Sequence, residues 1–296
     1  MNHLLTPKND YVFKKLFTED TEILTNLINC VLELSPENRI VSVEIKNPDI
    51  LPDEFEKRFI ILDIRGLDSS GKEYDIEMQV RRYENYPKRS LYYLCRMYGE
   101  QLKSGDDYGE LHPVIGIHFL DYRQFPEHKD FHYHFRLRDR NWPELVLTDD
   151  LSLHIFELRE IEKQMKDRKM TDLLEWLHFF NHAHEEGEKT MRTNYSNPMI
   201  TRAFDALESL SADRITRDLA ERREKALKDE TMFLNEARRL GRAEGRAEGR
   251  AEGRKDMQFS IAEKLLARGM DADVISELTG LDSAEIIKMG QISRKE

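Results

Sequence analysis

Residues 62–80 read Leu-Asp-Ile-Arg-Gly-Leu-Asp-Ser-Ser-Gly-Lys-Glu-Tyr-Asp-Ile-Glu-Met-Gln-Val. Two runs of alternating apolar and polar residues flank the turn-rich stretch Asp68–Lys72, so strands are predicted over 59–65 and 74–80, joined as an antiparallel hairpin. A period of two puts Tyr74, Ile76, Met78 and Val80 on one face and Asp75, Glu77, Gln79 and Arg81 on the other. In the first strand Ile60, Leu62 and Ile64 share a face, and Asp63 lies opposite them with Phe59, Ile61 and Arg65. A five-residue loop sets Asp63 directly across from Glu77 and Arg65 across from Asp75. Directly opposed side chains have Cβ atoms about 4.5–5.5 Å apart. Two carboxylates that close repel unless one is protonated or a cation lies between them. Mg²⁺ or Mn²⁺, hard cations with oxygen ligands, suit such a place. Gln79 points the same way, and its amide can donate to a phosphate or orient a water. The plainer alternative is a solvated hairpin face on which Asp63 pairs with Arg65.

Working outward, the apolar spacing over Asp10 to Leu34 is helical, with Val12, Phe13, Leu16 and Phe17 continued by Leu24, Leu27, Ile28 and Val31. Residues 40–46 alternate like a strand. An amphipathic helix is expected over 88–103, and strands over 113–120, 130–137 and 151–158. From about residue 171 the chain reads as helix. The expected class is therefore α/β with a central sheet over residues 1–160, then a helical region over 161–240. Residues 243–254 are three copies of Ala-Glu-Gly-Arg, and 241–256 reads either as a helix with a stripe of Gly245, Gly249 and Gly253 or as a hydrophilic spacer. Residues 257–296 form a small module of three short helices, stopped by Gly269 and Gly280 and with Ser283 as a cap. Its rhythm is that of a helix-turn-helix. The segment that would enter DNA carries Asp273 and Glu277 and no Arg or Lys, so packing or self-association is the better reading.

The chain has 296 residues, 46 Lys+Arg against 57 Asp+Glu, and a net charge of −11. Nearly all of that negative balance falls before residue 200. A pI near 5.5 excludes a protein that coats nucleic acid through bulk positive charge. It suits a metal site, which needs carboxylates. The sequence has no apolar run near the ~20 residues of a membrane span and no secretory leader. Cys30 and Cys95 are too few and too distant for a disulfide framework, and are expected to be reduced thiols of a cytoplasmic protein.

Other candidates are weaker. His178 and His182 stand i, i+4 with His184 nearby, a zinc-like spacing, but no further ligand or general base accompanies them and the segment is rich in Phe. His132 and His134 share one strand face and are expected to meet solvent. Arg81, Arg89 and Tyr92 belong to a positive, aromatic stretch suited to a phosphate track, and Lys14 on the first helix could reach phosphate as well. No Gly-rich phosphate loop or Ser-His-Asp set is present.

Leu62-Asp63-Ile64 followed by Ile76-Glu77-Met78-Gln79 resembles the core of the PD-(D/E)XK nuclease superfamily. Pro7–Phe17, Arg89–Tyr93, Gly105–Tyr108 and His112–Ile115, with the Ala-Glu-Gly-Arg repeats, narrow the resemblance to the Rpn family of recombination-promoting nucleases and transposases. That resemblance implies a restriction-endonuclease-like core followed by an α-helical C-terminal region. It implies a Mg²⁺- or Mn²⁺-dependent DNA endonuclease with Asp63 and Glu77 as metal ligands. Gln79 would stand where the superfamily has lysine, a dipole in place of a charge. An acid on the first helix often completes such sites, and Asp10 is the candidate, though a helix cap explains it equally; Lys14 could restore the missing cation. A homodimer through the C-terminal helices would supply two cutting sites. The competing reading is a degraded nuclease fold that serves as an oligomeric or nucleic-acid-binding module.

Overall fold

In the computed structural model, residues 4–47, 63–165, 169–186 and 195–292 are described. The expected run from Asp10 to Leu34 divides into two helices, α1 (Asp10–Glu19) and α2 (Thr21–Val31). The cause is local: the Asp20 carboxylate accepts from the backbone N–H of Glu22 and Ile23 and so starts a second helix. Asn9 caps α1 in the same way through Tyr11 and Val12.

Six strands follow among the described residues: β1 (Val43–Ile45), β2 (Ile64–Asp68), β3 (Glu73–Gln79), β4 (Val114–Leu120), β5 (His132–Arg138) and β6 (Val146–Glu157). They form one mixed sheet in the order β1-β2-β3-β4-β6-β5. The predicted hairpin is present with its expected register, Ile64 opposite Ile76 and Arg65 opposite Asp75. The first strand begins later than expected, at Ile64; residues 59–62 lie outside the described residues. The turn closes because the Asp68 carboxylate accepts from Ser70 and Lys72 N–H, and Gly71 adopts φ +87°. Strands β3 and β4 run parallel, joined by α3 (Tyr86–Glu100) as the crossover.

The two sheet faces differ in chemistry. One carries Ile64, Tyr74, Ile76, Met78, Ile117, Phe119 and Phe156 into the main core against α1 and α2. The same core is completed by α5 (Asp172–His182) and α6 (Pro198–Ala212), which follow the short α4 (Ile161–Met165). Phe13, Phe17, Phe119 and Phe180 meet with ring centroids 4.7 to 6.1 Å apart, and Trp176 Nε1 donates to Asn26 at 2.9 Å. The other face lies under α3. Gly116 is required there, since a Cβ would come within 2.6 Å of Leu153 Cδ1 and 3.2 Å of Leu94 Cδ2.

The compact unit therefore runs through Leu227, beyond the boundary expected at residue 160. The helices after 160 show amphipathic spacing because their apolar faces belong to the sheet. A second unit, Lys228–Glu296, contains the end of α7 (Arg214–Ala267), α8 (Ala272–Thr279) and α9 (Ser283–Ile292). Its small core is Ala262, Ile275, Leu281 and Ile286. Gly269 and Gly280 take φ +79° and +73° at the helix ends, as expected. Asp282, not Ser283, accepts from Ala284 N–H to start α9. The Ala-Glu-Gly-Arg repeats are helical and exposed within α7. No helix among the described residues is long and apolar enough to cross a membrane.

Candidate active site

Strand β3 presents Asp75, Glu77 and Gln79 toward α3, and all three are at most 4% exposed. Gln79 Nε2 donates to Glu77 Oε2 at 3.1 Å. Arg89, on the second turn of α3, brings Nη2 to 3.5 Å from the same oxygen. Parallel pairing sets His118 of β4 beside Glu77. His118 Nδ1 shares a 2.8 Å hydrogen bond with Tyr86 OH, and Nε2 lies 3.4 Å from Asp75 Oδ2. That last contact is an ion pair only; neither atom makes a well-formed hydrogen bond. One ligand atom each from Asp75, Glu77 and His118 falls within 4.8 Å of the others.

Asp63 stands just before β2, with Arg65 Nε 3.2 Å from its Oδ2. Burial, and then the charge of Asp75, push its carboxyl above the usual range despite Arg65. Burial also pushes Glu77 up; Asp75 and Asp63 add to that, against His118 and Arg89. For His118 burial acts downward, but Glu77 and Asp75 outweigh it and the ring is held above its ordinary value. Asp63 and Glu77 thus each hold a raised carboxyl beside further acids in a largely buried place, where a second negative charge disfavours ionisation. A divalent cation would relieve both, and the donor set of carboxylate oxygens and one imidazole nitrogen fits one.

The structure gathers Asp63, Glu77 and Gln79 on one side of the hairpin, with Asp75 and His118 added; the tightest group contains Asp75 and not Asp63. Asp10 is elsewhere. Its carboxylate receives Arg223 Nε at 2.9 Å on both oxygens and Nη2 at 2.5 Å, and α1 packs on the opposite face of the sheet. Lys14 is 3% exposed on that helix, so it is not presented to a backbone phosphate. Arg89, not Lys14, brings positive charge to Glu77. Its guanidinium also stands 5.5 and 5.8 Å from the Tyr83 and Tyr93 rings, and Arg81 is 5.9 Å from Tyr83. Tyr92 is 61% exposed beside Tyr93.

Asp75 is legible from strand parity, since it shares the face of Glu77, but its place opposite Arg65 gives no sign of a role in the cluster. His118 gives no local signal, because its place beside Glu77 depends on parallel pairing between distant segments. The other histidines singled out in the sequence make contacts of their own. His178 shares a 2.6 Å hydrogen bond with Tyr195 OH, and His182 Nε2 is 2.9 Å from Glu162 Oε1. His132 and His134 do not simply face solvent: both stack on His154, with centroids 5.3 and 3.9 Å apart. Burial lowers His132 to about 4 and His154 to about 3.

Among protein families, residues 7–237 match the model described as PD-(D/E)XK nuclease family transposase. No curated protein and no solved structure matches the chain.

Proposed function

Because the chain belongs to the PD-(D/E)XK nuclease family transposases, we propose that it is a divalent-metal-dependent DNA endonuclease, acting on phosphodiester bonds in recombination or mobile-element processing. The observation that carries this reading is the buried group of Asp75, Glu77 and His118, with Asp75 Oδ2 lacking a hydrogen bond and Asp63 beside it. Asp63 and Glu77, assisted by Asp75, would hold Mg²⁺ or Mn²⁺. When bound, the ion would lower the pKa of a water and offset charge that builds on the phosphate.

The chain's own residues do the rest. Gln79 fixes the rotamer of Glu77 by donating to one of its oxygens, leaving the other for the ion. Arg89 supplies the positive charge that a glutamine cannot, at the same carboxylate. Tyr83, Tyr93 and exposed Tyr92 continue from Arg89 as surfaces for sugar and base contacts. A dimer through the helices beyond residue 200 would bring two sites to a duplex, one for each strand.

Plasmid nicking tests the reading. Wild type with Mg²⁺ should convert supercoiled to open-circle and linear DNA, and EDTA should stop it. Asp63→Ala should be inactive yet folded, because its carboxylate lies outside the apolar core. Equal cleavage by Asp63→Ala and wild type would overturn the assignment.

A further inference from the structure

Oxygen ligands alone do not describe the cluster on β3 and β4. We propose that His118 Nε2 joins Asp75 and Glu77 as a nitrogen ligand, making this a site that selects Mn²⁺ over Mg²⁺. The inference rests on the metal-dependent reading above and assigns the metal it takes.

The geometry supplies three independent supports. First, His118 Nε2 and Asp75 Oδ2 are both buried, at residues 0% and 2% exposed, and lack hydrogen bonds while facing each other at 3.4 Å. Their ion pair falls short of a well-formed hydrogen bond, and a ligand atom of Glu77 lies within 4.8 Å of both, so the three groups are set up for a body between them. Second, the ring is already oriented from behind. Tyr86 OH binds Nδ1 at 2.8 Å, and its hydroxyl can either donate or accept. When Tyr86 accepts from Nδ1–H, the lone pair of Nε2 is directed at Asp75 and Glu77. Such an outer hydrogen bond is how a ligating histidine is usually held. Third, Tyr86 is itself fixed, 1% exposed and edge-on to Tyr122.

The selectivity follows from donor chemistry. Mg²⁺ prefers near-ideal octahedral oxygen ligands and gives up water reluctantly. Mn²⁺ shares with Mg²⁺ a preference for carboxylates and stands at the weak end of the first transition row, so an imidazole nitrogen is the donor that separates the two ions. A pocket with two carboxylates and one imidazole therefore discriminates between ions that a set of oxygens alone would treat nearly alike.

Titration of Mn²⁺ and Mg²⁺ into the full-length protein, followed by calorimetry, measures the preference, and pulsed EPR of bound Mn²⁺ reads its ligands. Wild type should bind Mn²⁺ about tenfold tighter than Mg²⁺ or more, and bound Mn²⁺ should show nitrogen modulation from a ring nitrogen. His118→Gln should abolish the modulation and the preference while leaving Mg²⁺ affinity nearly unchanged. Tyr86→Phe, a milder change, should weaken Mn²⁺ several-fold and Mg²⁺ little. Wild-type Mn²⁺ without nitrogen modulation overturns the inference, whatever the variants do, so a His118→Gln protein that fails to fold does not shelter it. A modulation that persists in folded His118→Gln overturns it too. Nicking assays separate the two readings. Mg²⁺-dependent cleavage lost in Asp63→Ala, without nitrogen at Mn²⁺, leaves the nuclease and removes the histidine. Nitrogen-ligated Mn²⁺ without cleavage in either ion does the reverse.

Discussion

At the residue scale, two buried ion contacts divide the labour. Asp10 and Arg223 form a closed pair, each side chain at most 8% exposed. Removing one partner leaves a buried charge alone, which typically costs about 3–5 kcal/mol. Arg223→Ala should therefore lower the denaturation midpoint strongly, and Asp10→Asn combined with Arg223→Met should recover part of the loss. The contact of Arg89 with Glu77 is looser, at 3.5 Å, and in the proposed site it would share that carboxylate with the ion. Arg89→Ala should slow cleavage and leave divalent-ion affinity equal or higher, since a competing cation is gone; calorimetry beside a nicking assay reads both. The third case is His132 and His154, neutral in the folded chain down to about pH 4 and 3. Once unfolded they take up protons near pH 6.5, so stability is full above that value and falls as pH drops toward the folded values. The decline should be about 3 kcal/mol for each ring by pH 4, and His154→Asn should lose less stability than wild type across that range in pH-dependent chemical denaturation.

At the scale of elements, the hairpin of β2 and β3 was readable because period-two patterns and a glycine turn are local signals. The same logic places Asp75 on the right face, while its meeting with His118 depends on a strand far along the chain. The break at Asp20 was missed because an unbroken apolar stripe concealed a capping carboxylate. His118 is beyond any local reading, because its place needs the parallel register; Arg89 is legible as a phosphate-track residue, but its contact with Glu77 needs the packing of α3 over the sheet. Asp10 shows the reverse hazard, since an acid on the first helix invites a catalytic role while Arg223, far along the chain, occupies it. The glycine stripe in α7 gives a direct test. An added Cβ at Gly245, Gly249 or Gly253 meets nothing within 4 Å. Replacing all three with Ala should raise helix stability by about 0.8–1.0 kcal/mol each. If the stripe seats a second helix, the same variant should also weaken self-association in light scattering, whereas a bare spacer would leave it unchanged.

At the scale of the whole molecule, the sheet does not finish its own core. Trp176, Phe180 and Leu207 are fully buried against Phe13, Phe17 and Phe119. A chain ending at residue 160 loses that layer and exposes the apolar face of the sheet. It should be collapsed without fixed packing or aggregated, binding dyes for exposed apolar surface. A chain ending at residue 227 should unfold cooperatively, as differential scanning calorimetry would show. The composition pointed to a boundary where strands give way to helices. Burial puts it where the core ends, because amphipathic spacing reports that a helix has an apolar face and not which partner covers it.

The contacts between the first residues and the late helices also set an order in time. Leu5 N–H donates to Ser211 Oγ at 2.9 Å, Asn9 Nδ2 donates to the Ala220 carbonyl at 3.1 Å, and Asp10 waits for Arg223. On a ribosome these partners emerge long after Asp63, Asp75 and Glu77 have been made. The nascent chain therefore carries every acid of the cluster before it holds the helices that complete the core against the sheet's other face.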